Sequence, residues 1–149
     1  MKYKFLIVLI AVILTAGCAS FGSGPSQEET LKAVTMINSG GAVLLIENSG
    51  VPFIFDGEIL VRRGDMESVW TNLNANGFQI SGSRVISLAP VSDQSYAAFA
   101  ETEEMRVFFK KYVDSSASLA KIRADSGVFY LLLGTEVDDY PQLLGITGF

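Results

Sequence analysis

The chain has 149 residues, 49% of them hydrophobic and 18% charged, which fits one globular domain with an appendage and does not fit a disordered polyampholyte. Its net charge of −5 argues against nucleic acid as the main partner, because phosphate binding needs a cationic face. The absence of histidine removes Ser-His-Asp and Cys-His nucleophiles, histidine zinc sites and imidazole acid–base work; the single cysteine removes an intrachain disulfide and a thiolate metal cluster. No cofactor or metal is expected.

In chain order, Met1-Lys2-Tyr3-Lys4 precede an apolar run from Phe5 to Leu14, and Thr15-Ala16-Gly17-Cys18 follow. A basic stretch, a core of about ten apolar residues and small residues before a break make a secretory signal. The run is shorter than the roughly twenty apolar residues that cross a membrane. An ordinary signal peptide with an incidental cysteine would read the same way. However, Thr15-Ala16-Gly17-Cys18 resembles a bacterial lipobox, with Thr15 where leucine is commoner. The resemblance implies cleavage of residues 1–17 and acylation of Cys18, by palmitate-type chains on its sulfur and amine. With Ala19 and not Asp after the cysteine, it also implies transfer to the outer membrane in a Gram-negative cell. One acyl chain holds a protein only marginally, and two or three hold it permanently.

Cleavage would remove Lys2 and Lys4 and leave 132 residues with a net charge of −7. Such a domain is repelled weakly by anionic lipid, so the acyl chains would do the holding. Residues 18–25 are rich in Gly and Ser and read as a lipidated tether. Residues 26–149 read as a single α+β domain, large enough to bury its own core.

Ser26 and Glu29, three apart, form a capping-box pattern, and Leu31, Val34 and Ile37 follow on one helical face up to Gly40-Gly41. The run Ala42–Ile46 has the composition of a buried strand, yet Glu47–Gly50 could close a short helix. Asp56-Gly57 between two apolar runs predicts a hairpin with a type I′ turn. Met66, Val69, Trp70 and Leu73 predict a helix over about 65–73. Residues 78–80 and 84–88 read as strand pieces. Glu103 and Glu104 open a helix that carries Met105, Phe108, Phe109 and Tyr112 on one face, with Lys110 and Lys111 near its end. Residues 118–124 and 128–133 flank an Asp125-Ser126-Gly127 turn, and a closing strand is predicted over about 143–149.

Helices first and hairpins later give an α+β class: a curved antiparallel sheet packed with N-terminal helices. Residues 28–73 and the tail Gly127–Gly134 with Pro141–Phe149 also resemble the nuclear-transport-factor-2-like (SnoaL-like) superfamily. That resemblance implies a sheet wrapped by helices into a cone with an internal pocket. The helix at 103–113 departs from the family pattern and is expected as an insertion that lids or fills the pocket.

If the cone holds, Phe53, Phe55, Trp70, Tyr96 and Tyr130 project inward as an aromatic pocket, with Asp56 as its acid. The same rings could simply fill the core, and Asp56-Gly57 is a sufficient turn. Enzymes of the superfamily generally use an Asp-His pair or a pocket Tyr/Asp, and the histidine is missing here. Asp138-Asp139-Tyr140-Pro141 reads as a solvated turn rather than a cation site, since calcium needs six or more oxygens. Arg62-Arg63 reads as a solvated strand end, although a paired arginine could grip a carboxylate. Asp114-Ser115-Ser116 reads as a loop.

No catalytic constellation emerges. The function expected is a non-enzymatic, membrane-anchored lipoprotein of the cell envelope that binds a partner protein or a small apolar ligand. The alternative is a SnoaL-like pocket enzyme or carrier. A further option is that the 103–113 helix offers its apolar face to a partner, although the domain's own sheet is the simpler place for it.

Overall fold

The computed structural model describes residues 25–149, so the expected signal segment, Cys18 and the expected tether before Pro25 lie outside the described residues. Helix α1 (Gln27–Ser39) starts at the expected cap. The Ser26 hydroxyl accepts the Glu29 N–H at 3.2 Å, and the Glu29 carboxylate accepts the Ser26 N–H in return. Ala33, Val34, Met36 and Ile37 form its buried stripe. Gly40 stays right-handed (φ −76°), and Gly41 takes the left-handed φ of +75° that separates α1 from the next helix.

That helix, α2 (Gly41–Glu47), resolves the ambiguous run as helix. The Asn48 backbone and side-chain N–H groups both close on the Leu44 carbonyl, at 3.1 and 2.9 Å, so local bonds satisfy the segment without a strand partner. Strands β1 (Ser49–Phe55) and β2 (Glu58–Leu60) follow as a hairpin, with Asp56 at φ 46° and Gly57 at φ 89° in the type I′ region. Helix α3 (Arg63–Ala75) buries Met66 and Trp70. Residues 78–80 are not a strand. The Asn38 side chain takes the ladder's place: it accepts the Ile80 N–H at 2.7 Å and donates to the Ile80 carbonyl at 3.3 Å.

Strand β3 (Arg84–Pro90), a 3₁₀ turn (Ser95–Ala98), helix α4 (Glu103–Tyr112) and strands β4 (Ser118–Ala124), β5 (Gly127–Val137) and β6 (Tyr140–Thr147) complete the chain. Among the described residues, six strands form one open sheet in the order β2-β1-β6-β5-β4-β3. The sheet is mixed, not antiparallel throughout as expected from the sequence: β1 and β6 run parallel, pairing Ile54 with Gly145 and Phe55 with Ile146. Turn residues announce antiparallel neighbours, but a parallel pair is joined by a long excursion that leaves no local signature. Register shifts interrupt the β1–β6, β3–β4 and β5–β6 ladders, and such irregularities bend a sheet.

The pleat sorts the core into two. On one face, Phe53, Ala120, Ile122, Leu131 and Leu133 pack with buried residues of α1, α2 and α3. On the other, Ile54 and Leu132 pack with Phe99 and with Met105, Phe108 and Phe109 of α4. Helix α4 therefore neither lids nor fills the space under α1–α3; it covers the opposite face of the sheet. Its apolar stripe has a sheet face to bury against, and Thr102 caps it by accepting the Met105 N–H at 3.2 Å.

Candidate functional site

The structure divides the six residues of the expected pocket. Phe53 and Trp70 are fully buried together, ring centroids 5.6 Å apart at 63°, an edge-to-face contact that fills the space between β1 and α3. The indole N–H donates to the Ser49 hydroxyl at 2.8 Å, and that hydroxyl donates to the Leu45 carbonyl at 2.7 Å. Phe55 lies on the same face, half-buried, 4.8 Å from the Phe149 ring, which also meets Phe78 at 4.9 Å and Phe129 at 5.8 Å. Tyr96 and Tyr130 belong to the other face, in the cluster built around α4. Residues 53 and 55 share a face by the period of two, whereas Tyr130 is out of phase with the inward Phe129 and Leu131. The set therefore does not line one cavity, and the rings at 53 and 70 act as core.

Asp56 is a fastening point. Its backbone N–H donates to the Ile146 carbonyl at 2.9 Å, and its carboxylate accepts the Thr147 hydroxyl at 3.0 Å and the Gly148 N–H at 3.5 Å. The residue thus combines a left-handed turn with a bond that holds the β1–β2 hairpin to β6. We predict that Asp56→Ala lowers stability by about 1–3 kcal/mol, the sum of the αL penalty and a lost hydrogen bond. Asp56→Asn, which tolerates αL and keeps an acceptor, should lose less. Urea midpoints of the two variants check this.

The remaining acids have local roles. Asp138 and Asp139, at φ 48° and 70°, form the two-residue turn between the paired Val137 and Tyr140. Hydrogen bonding to Glu29 holds the nearby Glu136 carboxyl above its ordinary range. Bonds from Ser116, among them its N–H at 2.8 Å, hold Asp114 below that range. Among the described residues, no group of three His, Cys, Asp or Glu side chains could hold a metal ion. Arg62 and Arg63 are not at a strand end: they open α3 and pair with Asp65 and Glu67, each at 2.8 Å. With both partners exposed, such pairs contribute little to stability.

A cleft that sequence reasoning missed lies between α4 and the loop that carries the 3₁₀ turn. It encloses about 530 Å³. Tyr96, Phe109 and Val113 form apolar parts of its wall; Arg106 and Lys110 stand on the α4 side, and Ser92, Asp93 and Gln94 on the loop side. Arg106 is held by Glu103 through two bonds, 2.8 and 2.6 Å long. This bonding lowers the Glu103 carboxyl's proton affinity and raises that of the guanidinium. The signal was present as a second helical stripe: Arg106, Phe109, Lys110 and Val113 follow i, i+3, i+4 and i+7, beside the buried stripe of Met105 and Phe108. Another surface cleft, of about 450 Å³, runs beside α1 past Leu31, Lys32 and Tyr140.

No family model, curated protein or solved structure matches the chain. Among the described residues, no helix is long and apolar enough to cross a membrane.

Proposed function

We propose that the chain is a lipoprotein of a bacterial cell envelope, held by acyl chains on Cys18, whose domain is a non-enzymatic binding module. In a cell with two membranes its place is the outer one. The occupant is a partner protein or a small ligand with an apolar part.

The observation that carries the reading is how the inward polar groups are used. The Trp70 indole, the Ser49 hydroxyl and the Leu45 carbonyl satisfy one another in sequence, and Asp56 is engaged by Thr147 and by its own turn. Among the described residues, no buried side-chain nitrogen or oxygen lacks a partner. Catalytic groups are aimed at a substrate and stay available to it, whereas these are committed to the fold.

The domain itself is a cone of the nuclear-transport-factor-2-like kind in this reading. Support comes from three helices on one face of a sheet whose ladders shift register, with the parallel β1–β6 pair at its interior. The inner face is occupied by Phe53, Trp70 and their neighbours, so binding falls to the outer surfaces.

Metabolic labelling with palmitate tests the anchor. The wild-type chain should incorporate label and remain with membranes, and a Cys18→Ser chain should do neither. Equal labelling of both would overturn the placement. Turnover by the purified full chain of ester, phosphoester or isomerase substrates would overturn the non-enzymatic reading.

A further inference from the structure

We propose that the cleft between α4 and the 3₁₀ turn binds a small zwitterion with an apolar body, of the size and chemistry of an aromatic amino acid. The proposal rests on the binding-module reading and gives it a site and a ligand class.

Three features of the cleft lead there. Its volume of about 530 Å³ lies within the range of small-molecule sites. Its aromatic and apolar wall, Tyr96 and Phe109, suits a flat or branched side chain; both rings are at least partly buried and are anchored in the second core cluster. The charges are divided between its sides: Lys110 stands on α4 and Asp93 on the loop.

The division of charge sets the ligand class. Arg106 is already neutralised by Glu103, with which it forms a two-bond pair. The ion pairs among the described residues are Arg62–Asp65, Arg63–Glu67 and Arg106–Glu103, so neither Lys110 nor Asp93 has a charged partner. A ligand that carries only an anion would answer Lys110 and be repelled by Asp93. One that carries only a cation would do the reverse. An α-amino acid presents a carboxylate to the ammonium of Lys110 and an ammonium to Asp93. Its side chain then lies against Tyr96 and Phe109. Charge-assisted hydrogen bonds of this kind are the stronger ones, and each is lost separately when its partner is neutralised.

The test uses the full chain in detergent and equilibrium dialysis against three probes: L-phenylalanine, 3-phenylpropanoate, which lacks the amine, and 2-phenylethylamine, which lacks the carboxylate. Phenylalanine should bind at least about tenfold more tightly than either single-charge probe. Lys110→Gln should weaken phenylalanine about tenfold and leave 2-phenylethylamine unchanged or tighter. Asp93→Asn should weaken phenylalanine similarly and leave 3-phenylpropanoate unchanged or tighter. Both residues are exposed, so the variants should fold, and circular dichroism verifies that they do. Equal binding of the three probes, indifference of phenylalanine to both substitutions, or no phenylalanine binding at millimolar concentration would each overturn the assignment. Failure here leaves the palmitate result standing, and failure of labelling leaves the dialysis readable, because Cys18 takes no part in it.

Discussion

Trp70→Ala should cost about 3–5 kcal/mol, a large share of the 5–15 kcal/mol typical of a domain. The substitution removes the largest fully buried side chain and leaves Phe53 without its edge-to-face neighbour, ring centroids 5.6 Å away. It also takes the donor from the Ser49 hydroxyl. The effects belong to one site, so they will not sum as independent terms. Trp70→Phe keeps most of the volume and loses only the N–H, and should cost much less than the alanine change. A urea titration followed by far-ultraviolet circular dichroism reads both, since the protein's one tryptophan is the residue changed. A midpoint for Trp70→Ala within error of wild type would mean that β1 and α3 do not pack as described.

The second large effect lies on the other face. Phe108→Asp should cost more than about 4 kcal/mol, because it combines loss of a buried ring with burial of a carboxylate among Met105, Phe109 and Leu132. The cooperative melt should be lost. Tyr112→Asp is the matched control on the same helix: its ring touches Phe108 at 5.5 Å, yet 55% of the residue is exposed, so its cost should stay below about 1 kcal/mol. If Phe108→Asp melted like wild type, α4 would be an applied surface element and not part of the core. The contrast also bears on the cleft, whose α4 wall stands only while the buried stripe holds the helix down.

Several elements were legible because their signals are local. The Ser26–Glu29 capping box, the Asp56-Gly57 turn and the Met66–Trp70 stripe each involve residues within a turn or two of one another, and each appears where the spacing predicts it. The 42–46 run was not decidable, since a short apolar stretch suits a strand or a helix equally until the Asn48 bonds to Leu44 are seen. Residues 78–80 look like a strand by composition, but their backbone partner is a side chain from a helix 42 positions earlier in the chain. The aromatic set was divided between two faces for a related reason. Composition indicates that rings will be buried, but not on which side of a sheet, and the pleat sends Phe53 and Tyr130 apart.

What the sequence by itself determined is the α+β class, the caps, the turns and the amphipathic stripe of α4, all of which follow from periodicity and from residues a few positions apart. What only the tertiary structure decided is the parallel pairing of β1 with β6, the side of the sheet that α4 covers, and the cleft that joins Lys110 to Asp93 across two elements. These depend on which distant segments meet, and that is set by how the faces of the whole sheet are shared among the helices, a free-energy minimum of the complete fold that no short window of residues contains.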